Sequence, residues 1–320
     1  MPRWMGSTIV LAVLAVLLAG AVLWIRNPGS RRAAPAPTDG SSTPVAPVEP
    51  VAPVEPGDEL SPCSRPRGPA VALKALSFNL HGAVDRDDRY RLDQVAAEIR
   101  AWDPDVVLVQ EIHRFRPLSG LADMPADLAR LVGLDHVFAR NFSRAPKIAG
   151  TPRRQSGTAV LSRFPVVGQR NTALPRRPGT EQRGLLRVTL DVDGRQVDVY
   201  DTHLEPGGAR LREQQVRAIG AVIAARQTRR DRPFLLGGDF NSEPDSSPMV
   251  LARRIATDPW DAVGVGVAET IRPREPRARV DYLLHGPGWR ATRSETLLSE
   301  VSDHRALLTR FVLEPGRDCP

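Results

Sequence analysis

Only two cysteines occur among the 320 residues, and lysine stands at Lys74 and Lys147 alone although Lys and Arg together number 44. Aromatic residues make up 5% of the chain. Two cysteines cannot build a disulfide-dense scaffold, and Cys63 and Cys319 stand outside every motif, at the two extremes of the globular part. The shortage of aromatics argues against base-stacking platforms and against an aromatic hairpin inserted into a membrane. With so little lysine, the net charge of +7 rests on arginine. Its planar fork grips phosphate bidentately, and a basic surface suits an anionic partner. A GC-rich coding bias toward Arg, Ala and Pro would explain part of the same charge.

Hydrophobic residues make up 41%, enough for one large core, and three regions follow from their distribution. Residues 1–26 carry Arg3 and an apolar run from Ile9 to Ile25. This is a transmembrane anchor or a signal, since about 17 to 22 apolar residues just span a bilayer and Ala19-Gly20-Ala21 also permits cleavage. The run continues through Val22-Leu23-Trp24-Ile25, which favours the uncleaved anchor. Residues 27–70 form a Pro-rich disordered linker with the hexapeptide Val-Ala-Pro-Val-Glu-Pro in tandem at 45–50 and 51–56. At roughly 3.1 Å per residue, about 30 such residues reach some ~90 Å. Residues 71–315 are the globular domain. A disulfide between Cys63 and Cys319 would staple its ends and imply an oxidising compartment; two free thiols are the alternative. Arg26, Arg31 and Arg32 outnumber Arg3 and the amino terminus, which favours a cytoplasmic domain by the positive-inside rule. The linker and the cysteines point outward, to a single-pass protein of the cell membrane with an extracytoplasmic domain, secreted if the N-terminus is cleaved.

Within 71–315, strand-like and helix-like segments alternate, which indicates an α/β fold. Strands are expected at 72–78, 106–110, 158–162, 185–192, 197–200, 233–236, 280–284, 292–297 and 306–312. Gly194-Arg195 marks a hairpin. Helices are expected at 90–102, 125–132, 210–226 and 247–254. Six polar clusters stand at the ends of apolar runs: SFNLHG, VLVQEIH, DTHLEP, LLGGDFNSEPD, RVDYLL and SDH. Ligands in α/β folds bind at such strand ends. An acid such as Glu111, after an apolar strand, must be paired, hydrated or metal-bound, and it has the hardness magnesium needs. Asn79 offers a neutral oxygen to the same ion or caps a turn. Asp239 and Asn241 follow a double glycine, and their spacing lets both face one way if the strand continues through Phe240. Asp281 is the candidate partner for His304, which leaves Asp303 free for metal. His203 can donate to a phosphate oxygen. His81, His113, His136 and His285 lack such a setting.

The ordered set FN, QE, THL, GDFN, RVDY and SDH resembles the endonuclease/exonuclease/phosphatase superfamily, with its DNase I-like fold, over residues 71–314. The resemblance implies a four-layer α/β sandwich of two mixed β-sheets flanked by helices, and Mg2+- or Mn2+-dependent hydrolysis of a phosphoester. It implies Asn79, Glu111 and Asp303 at the metal, and Asp239 as the base or water-orienting acid with Asn241 its partner. It implies His203 on the phosphate, and Asp281 with His304 as the pair that stabilises the phosphorane or protonates the leaving oxygen.

Fold alone does not choose the substrate. Two Arg-rich loops, Arg140 to Arg154 and Arg170 to Arg183, favour an extended polyanion. Arg183 is the expected phosphate contact. The expectation is therefore a monomeric, membrane-tethered phosphodiester hydrolase acting on nucleic acid rather than phospholipid. A lipid or inositol-phosphate phosphodiesterase or phosphatase, sphingomyelinase-like, is the alternative, because His203, Arg212, Gln214 and Gln215 look like the superfamily's small membrane-associated branch. An inactive anchored binding module is the third.

Overall fold

The apolar segments pair into two mixed sheets in the computed structural model, which describes residues 66–227, 232–271 and 277–317. All of these belong to one compact unit. The expected anchor and most of the linker, with Cys63 and Cys319, lie outside the described residues. Among those described, no helix is long and apolar enough to cross a membrane.

In chain order the strands are β1 (Pro66–Arg67), β2 (Val71–Asn79), β3 (Val106–Arg114), β4 (Asp135–Arg144), β5 (Arg154–Ser162), β6 (Val166–Ala173), β7 (Gly184–Val192), β8 (Arg195–His203), β9 (Phe234–Asp239), β10 (Gly264–Val265), β11 (Asp281–His285), β12 (Trp289–Leu297), β13 (Ala306–Leu313) and β14 (Gly316–Arg317). The helices are α1 (Leu92–Trp102), α2 (Met124–Val132), α3 (Ala209–Gln227), α4 (Ser247–Ala252) and α5 (Trp260–Val263). One sheet runs β10-β12-β13-β2-β3-β5-β4 and the other β11-β9-β8-β7-β6. β2 lies parallel to β3 across α1, and β8 parallel to β9 across α3. Each is a βαβ crossover, which sends both strands of the pair toward the same edge of the domain. β1 pairs antiparallel with β14, so Pro66 stands opposite Arg317.

Three apolar clusters define four layers. Leu73 and Ala75 of β2, Val106 and Leu108 of β3, Val197 and Val199 of β8 and Leu235 of β9 meet between the sheets. Leu76, Phe78, Val107 and Val109 face outward onto Val95, Ile99 and Leu128 of α1 and α2. Tyr200, Phe234 and Leu236 do the same onto Val216, Ile219 and Ile223 of α3. Central strands are therefore apolar on both faces, which is why they read as unbroken hydrophobic runs.

The edges depart from expectation. β4 buries only Val137 and Ala139 fully, and β6 buries none of its residues, so neither carries the apolar run that marks a strand. The two Arg-rich stretches thus enter β4, β5 and β6, and their loops shrink to 145–153 and 174–183. The hairpin turn falls at Asp193-Gly194, one residue earlier than expected, and both have the positive φ (50° and 80°) of a two-residue turn.

Candidate active site

Three site residues form a single row on the five-stranded sheet. His203 ends β8 opposite Asp239 at the end of β9, and Asp239 faces Asp281 at the start of β11. Two adjacent glycines in β9 make this possible. A Cβ on Gly238, whose φ is +131°, would lie 1.9 Å from the Thr202 carbonyl oxygen, and one on Gly237 would press Tyr282 and Leu283. Close approach of three backbones therefore aligns the side chains.

The strand does not continue through Phe240, contrary to the sequence expectation. It stops at Asp239, and Asn241 turns into the left-handed region at φ +47°. Its backbone N–H donates to Asp239 Oδ1 (2.8 Å) and its Nδ2 to the Leu204 carbonyl (3.0 Å). The turn is braced from below, where Phe240 meets the Tyr282 ring edge-on and Tyr282 Oη donates to the carbonyls of Ser242 and Arg279.

The seven-stranded sheet contributes the opposite wall. Asn79 ends β2, and its Nδ2 donates to Asp239 Oδ2 (3.0 Å) and approaches Glu111 Oε1 (3.4 Å). Glu111 was expected just past a strand; instead β3 continues to Arg114, and Glu111 occupies a bulge between Val109 and Ile112 with φ +51°. A bulge re-aims a side chain that regular pleating would direct elsewhere. His304 stands just before β13, where Ser302 Oγ accepts from its backbone N–H (3.0 Å) and donates to the Asn79 carbonyl (2.6 Å).

Asp239 is the centre of this arrangement. Its Oδ2 lies 3.5 Å from His203 Nε2 and 3.9 Å from His304 Nε2. Burial, and next the charge of Asp281, raise its pKa. Burial lowers His203 to about 4 despite Asp239. Arg183 Nη1 donates to His203 Nδ1 (3.3 Å), so His203 is neutral with its proton on Nε2, facing Asp239. His304 differs. Burial pulls its pKa down, but the charge and hydrogen bond of Asp281 (Nδ1 to Oδ2, 2.8 Å), with Asp239 and Asp303, hold it up at about 10. The two imidazoles are thus prepared in opposite charge states by their partners.

Asp303 does not enter the buried group. Its side chain is 51% exposed and pairs with His81 Nδ1 at 3.2 Å, so His81, set aside on sequence, belongs to the rim. Arg183 is brought to the site but is held between Glu205 (3.6 Å) and Glu181 (3.9 Å).

Ligand atoms of Asp239, Asp281 and His304 lie within 4.8 Å of one another, a spacing that could hold a metal ion. A protonated His304 bonded to Asp281 is a poor ligand, and the oxygens of Glu111 and Asp239 suit a hard divalent cation better; the expected metal-side oxygen of Asn79 instead accepts from the His81 N–H (3.0 Å), and its Nδ2 faces the two carboxylates. The fit has a second support: among the described residues Asp281 Oδ1 is buried without a partner, and burial together with the charge of Asp281 raises Asp239. Added positive charge would relieve both.

Sequence reasoning passed over several neighbours. A cavity of about 250 Å³ beside the row is lined by His113, Ser156, Asn141, Arg116, Arg183 and His203, among others. His113 Nδ1 and Ser156 Oγ are 2.5 Å apart at its floor. His113 follows Glu111 by two residues, and that spacing was the available signal. Beneath the site, Gln110 Nε2 donates to Asp201 Oδ1 (2.7 Å), joining the two sheets through fully buried groups.

The profile of the Endonuclease/Exonuclease/phosphatase family matches residues 76–304. An endonuclease/exonuclease/phosphatase from Beutenbergia cavernae DSM 12333 superposes with a TM-score of 0.64 at 28% identity, over 77% of this chain and 72% of that one. The mannosyl-6-phosphatase Bt3783 of Bacteroides thetaiotaomicron VPI-5482 shares the fold with a TM-score of 0.61 at 15% identity, over 75% and 99%. A protein named lipoyl synthase from Streptomyces avermitilis is 33% identical over 143 residues, 44% of this chain and 38% of that protein's length. The two sheets, their helical layers and the matched residues agree: this chain belongs to the endonuclease/exonuclease/phosphatase family of divalent-metal-dependent phosphoester hydrolases.

Proposed function

We propose that the protein hydrolyses phosphodiester bonds of nucleic acid. The observation that carries this reading is the charge at the cavity mouth. Arg144 and Arg154 stand close enough to Arg116 to repel it, Arg183 forms another wall, and Arg144 is tied to Glu181 at 2.6 Å. Arginines gathered around a catalytic cavity favour a substrate with several phosphates.

In this reading water attacks phosphorus in line, the new P–O bond forms, and the bond to the leaving oxygen breaks. Asp239 takes a proton from the water, a task its raised pKa favours. Asn241 fixes Asp239 through the 2.8 Å bond from its N–H. The His304 imidazolium, oriented by Asp281, gives its Nε2 proton to the leaving oxygen. His203 Nε2–H and Arg183 donate to non-bridging oxygens. Glu111 and Asp239, bridged by the Asn79 amide, would hold a Mg2+ or Mn2+ ion, which would supply Lewis-acid stabilisation of developing charge.

Incubating the metal-loaded full chain with plasmid DNA, RNA, sphingomyelin and inositol phosphates side by side tests the substrate. Cleavage of DNA or RNA is expected; cleavage of a lipid or inositol phosphate alone overturns the nucleic-acid reading and leaves the hydrolase. Neutralising Arg153, Arg154, Arg176 and Arg177 together should flatten the salt dependence of binding. One observation favours a second reading, a small phosphorylated sugar or inositol: the cavity is confined to about 250 Å³ and has polar His113, Ser156 and Asn141 in its lining.

The tether is proposed from sequence: residues 1–26 hold the enzyme in the membrane and 27–70 space it outward. Pairing of Pro66 with Arg317 brings the two ends of the described chain together, which supports a Cys63–Cys319 bridge. Intact-mass measurement on protein from its native membrane should show the loss of two hydrogens; two free thiols would refute the bridge.

A further inference from the structure

The free edges of the two sheets lie side by side. Asn171 Nδ2 on β6 donates to Asn141 Oδ1 (3.1 Å) and toward the Arg140 carbonyl (3.4 Å) on β4. On one side of this amide bridge is the catalytic cavity, reached through Asn141 and Ser156. On the other, the neighbouring residues Arg140 and Gln155 open a second hollow of about 610 Å³, whose walls also carry Arg170 and Gln169 and whose lining includes Val137 and Leu186 of the inter-sheet core. A third hollow, of about 690 Å³, shares Val137 and Gln169 with the second and continues along the same edge. The second and third hollows form one track, set off from the cavity by the amide bridge and running roughly 13 Å along the five β4 residues from Asn141 to Val137.

The chemistry of the track is specific. Among the described residues no carboxylate lines the second hollow, while the third, farther from the cavity, carries Asp135. Arg140 and Arg170 are exposed, and among the described residues neither guanidinium has an ion pair or hydrogen bond. Arg114 is different: it pairs with Asp123 at 2.7 Å and lies over the Phe138 ring at 4.5 Å. Two uncommitted guanidiniums suit phosphates, the amides of Gln155 and Gln169 suit base edges, and Val137 with Leu186 offers an apolar floor to base faces. Width selects between forms of nucleic acid. The two edges meet at the 3.1 Å Asn171–Asn141 contact, and the hollows of about 610 and 690 Å³ beside it take one strand laid along the edge, whereas a duplex would have to ride over both edges.

We propose that the groove between β4 and β6 is a binding track for single-stranded nucleic acid leading out of the catalytic cavity, and that the enzyme takes single strands in preference to duplexes. This rests on the nucleic-acid reading above. The test uses the full chain carrying Asp239→Asn, to stop turnover, and fluorescence anisotropy with a labelled single strand of about 16 nucleotides and the matching duplex across a salt series. Added Arg140→Ala and Arg170→Ala should weaken single-strand binding at least about tenfold and lower the salt slope by about 1.4, since each phosphate contact on a single strand contributes roughly 0.7. The same pair in the otherwise native chain should leave hydrolysis of bis(4-nitrophenyl) phosphate unchanged. Arg140→Gln with Arg170→Gln keeps the aliphatic stems should the alanine pair melt early. Undiminished single-strand binding in these variants, or a duplex bound as tightly as the single strand, overturns the track alone. A native chain that hydrolyses the small diester yet binds neither form overturns the nucleic-acid reading and the track with it.

Discussion

On the five-stranded sheet His203, Asp239 and Asp281 occupy one row of adjacent strands, while on the seven-stranded sheet Asn79 ends a strand, Glu111 sits in a bulge and His304 precedes a strand. The row is aligned by backbone hydrogen bonds that also hold the core, so its geometry is as rigid as the sheet. The other wall is aimed by a residue at φ +51° and by the Ser302 bonds, local devices that can be altered without unravelling a ladder. The base Asp239 and the Asp281 that orients the acid stand on the first, while the acid His304 and the metal-side Glu111 stand on the second. Rigid placement thus coincides with the base and with the carboxylate that holds His304 protonated across the cleft.

The largest test of this division is catalytic. Chelation should abolish hydrolysis of bis(4-nitrophenyl) phosphate, and Asp239→Ala should lower kcat/KM at least about 100-fold at every metal concentration. Glu111→Gln should lose a comparable factor but recover part of it as Mg2+ or Mn2+ is raised. If both variants respond to metal alike, the walls do not have separate tasks; full activity in EDTA would sink the mechanism.

Backbone substitutions should move stability in opposite directions. Gly238→Ala forces a Cβ against the Thr202 carbonyl at 1.9 Å and should cost about 3 kcal/mol, a fall in Tm of roughly 6–12 °C. Glu111→Gly should stabilise by up to about 1 kcal/mol by relieving a left-handed non-glycine residue while abolishing activity. A stable Gly238→Ala enzyme would remove the close-approach argument for the row.

The smallest effect concerns the link between the sheets. Burial raises the pKa of Asp201 well above the usual carboxylate range. An acid raised in the fold loses stability as pH climbs from its unfolded value toward its folded one, so the native protein is penalised above about pH 4. Asp201→Asn keeps an acceptor for Gln110 and removes the titration. Its Tm should equal that of the native protein near pH 4 and exceed it by about 2–4 °C at pH 7, for roughly 1 kcal/mol. A lower Tm at pH 7 would mean that a charged Asp201 stabilises the junction.

Most central strands were legible because both of their faces are covered, and apolar runs such as 106–109 and 234–236 announce that directly. β4 and β6 were not, since an edge strand solvated on one side carries Arg, Asn and Gln where a central strand carries Val or Leu. The residues of the site were readable as polar groups after apolar runs, but Ser156 was not, and His113 had only its two-residue spacing from Glu111 to separate a cavity-lining histidine from a core one. The exposed Asp303 and the rim position of His81 also depend on how two distant loops meet.

From its sequence alone the chain is an α/β protein with a basic composition and a set of acids, amides and imidazoles at strand ends, since burial periodicity and residue chemistry are local properties. The order of strands, the alignment of His203, Asp239 and Asp281 in one row, the opposite charge states of the two imidazoles and the groove between β4 and β6 were decided by tertiary structure. Each arises from contacts between residues far apart in the chain: Asn79 reaches Asp239, and Gln110 reaches Asp201. Pairing register and desolvation are set only when the sheets close on one another, and no stretch of sequence carries them by itself.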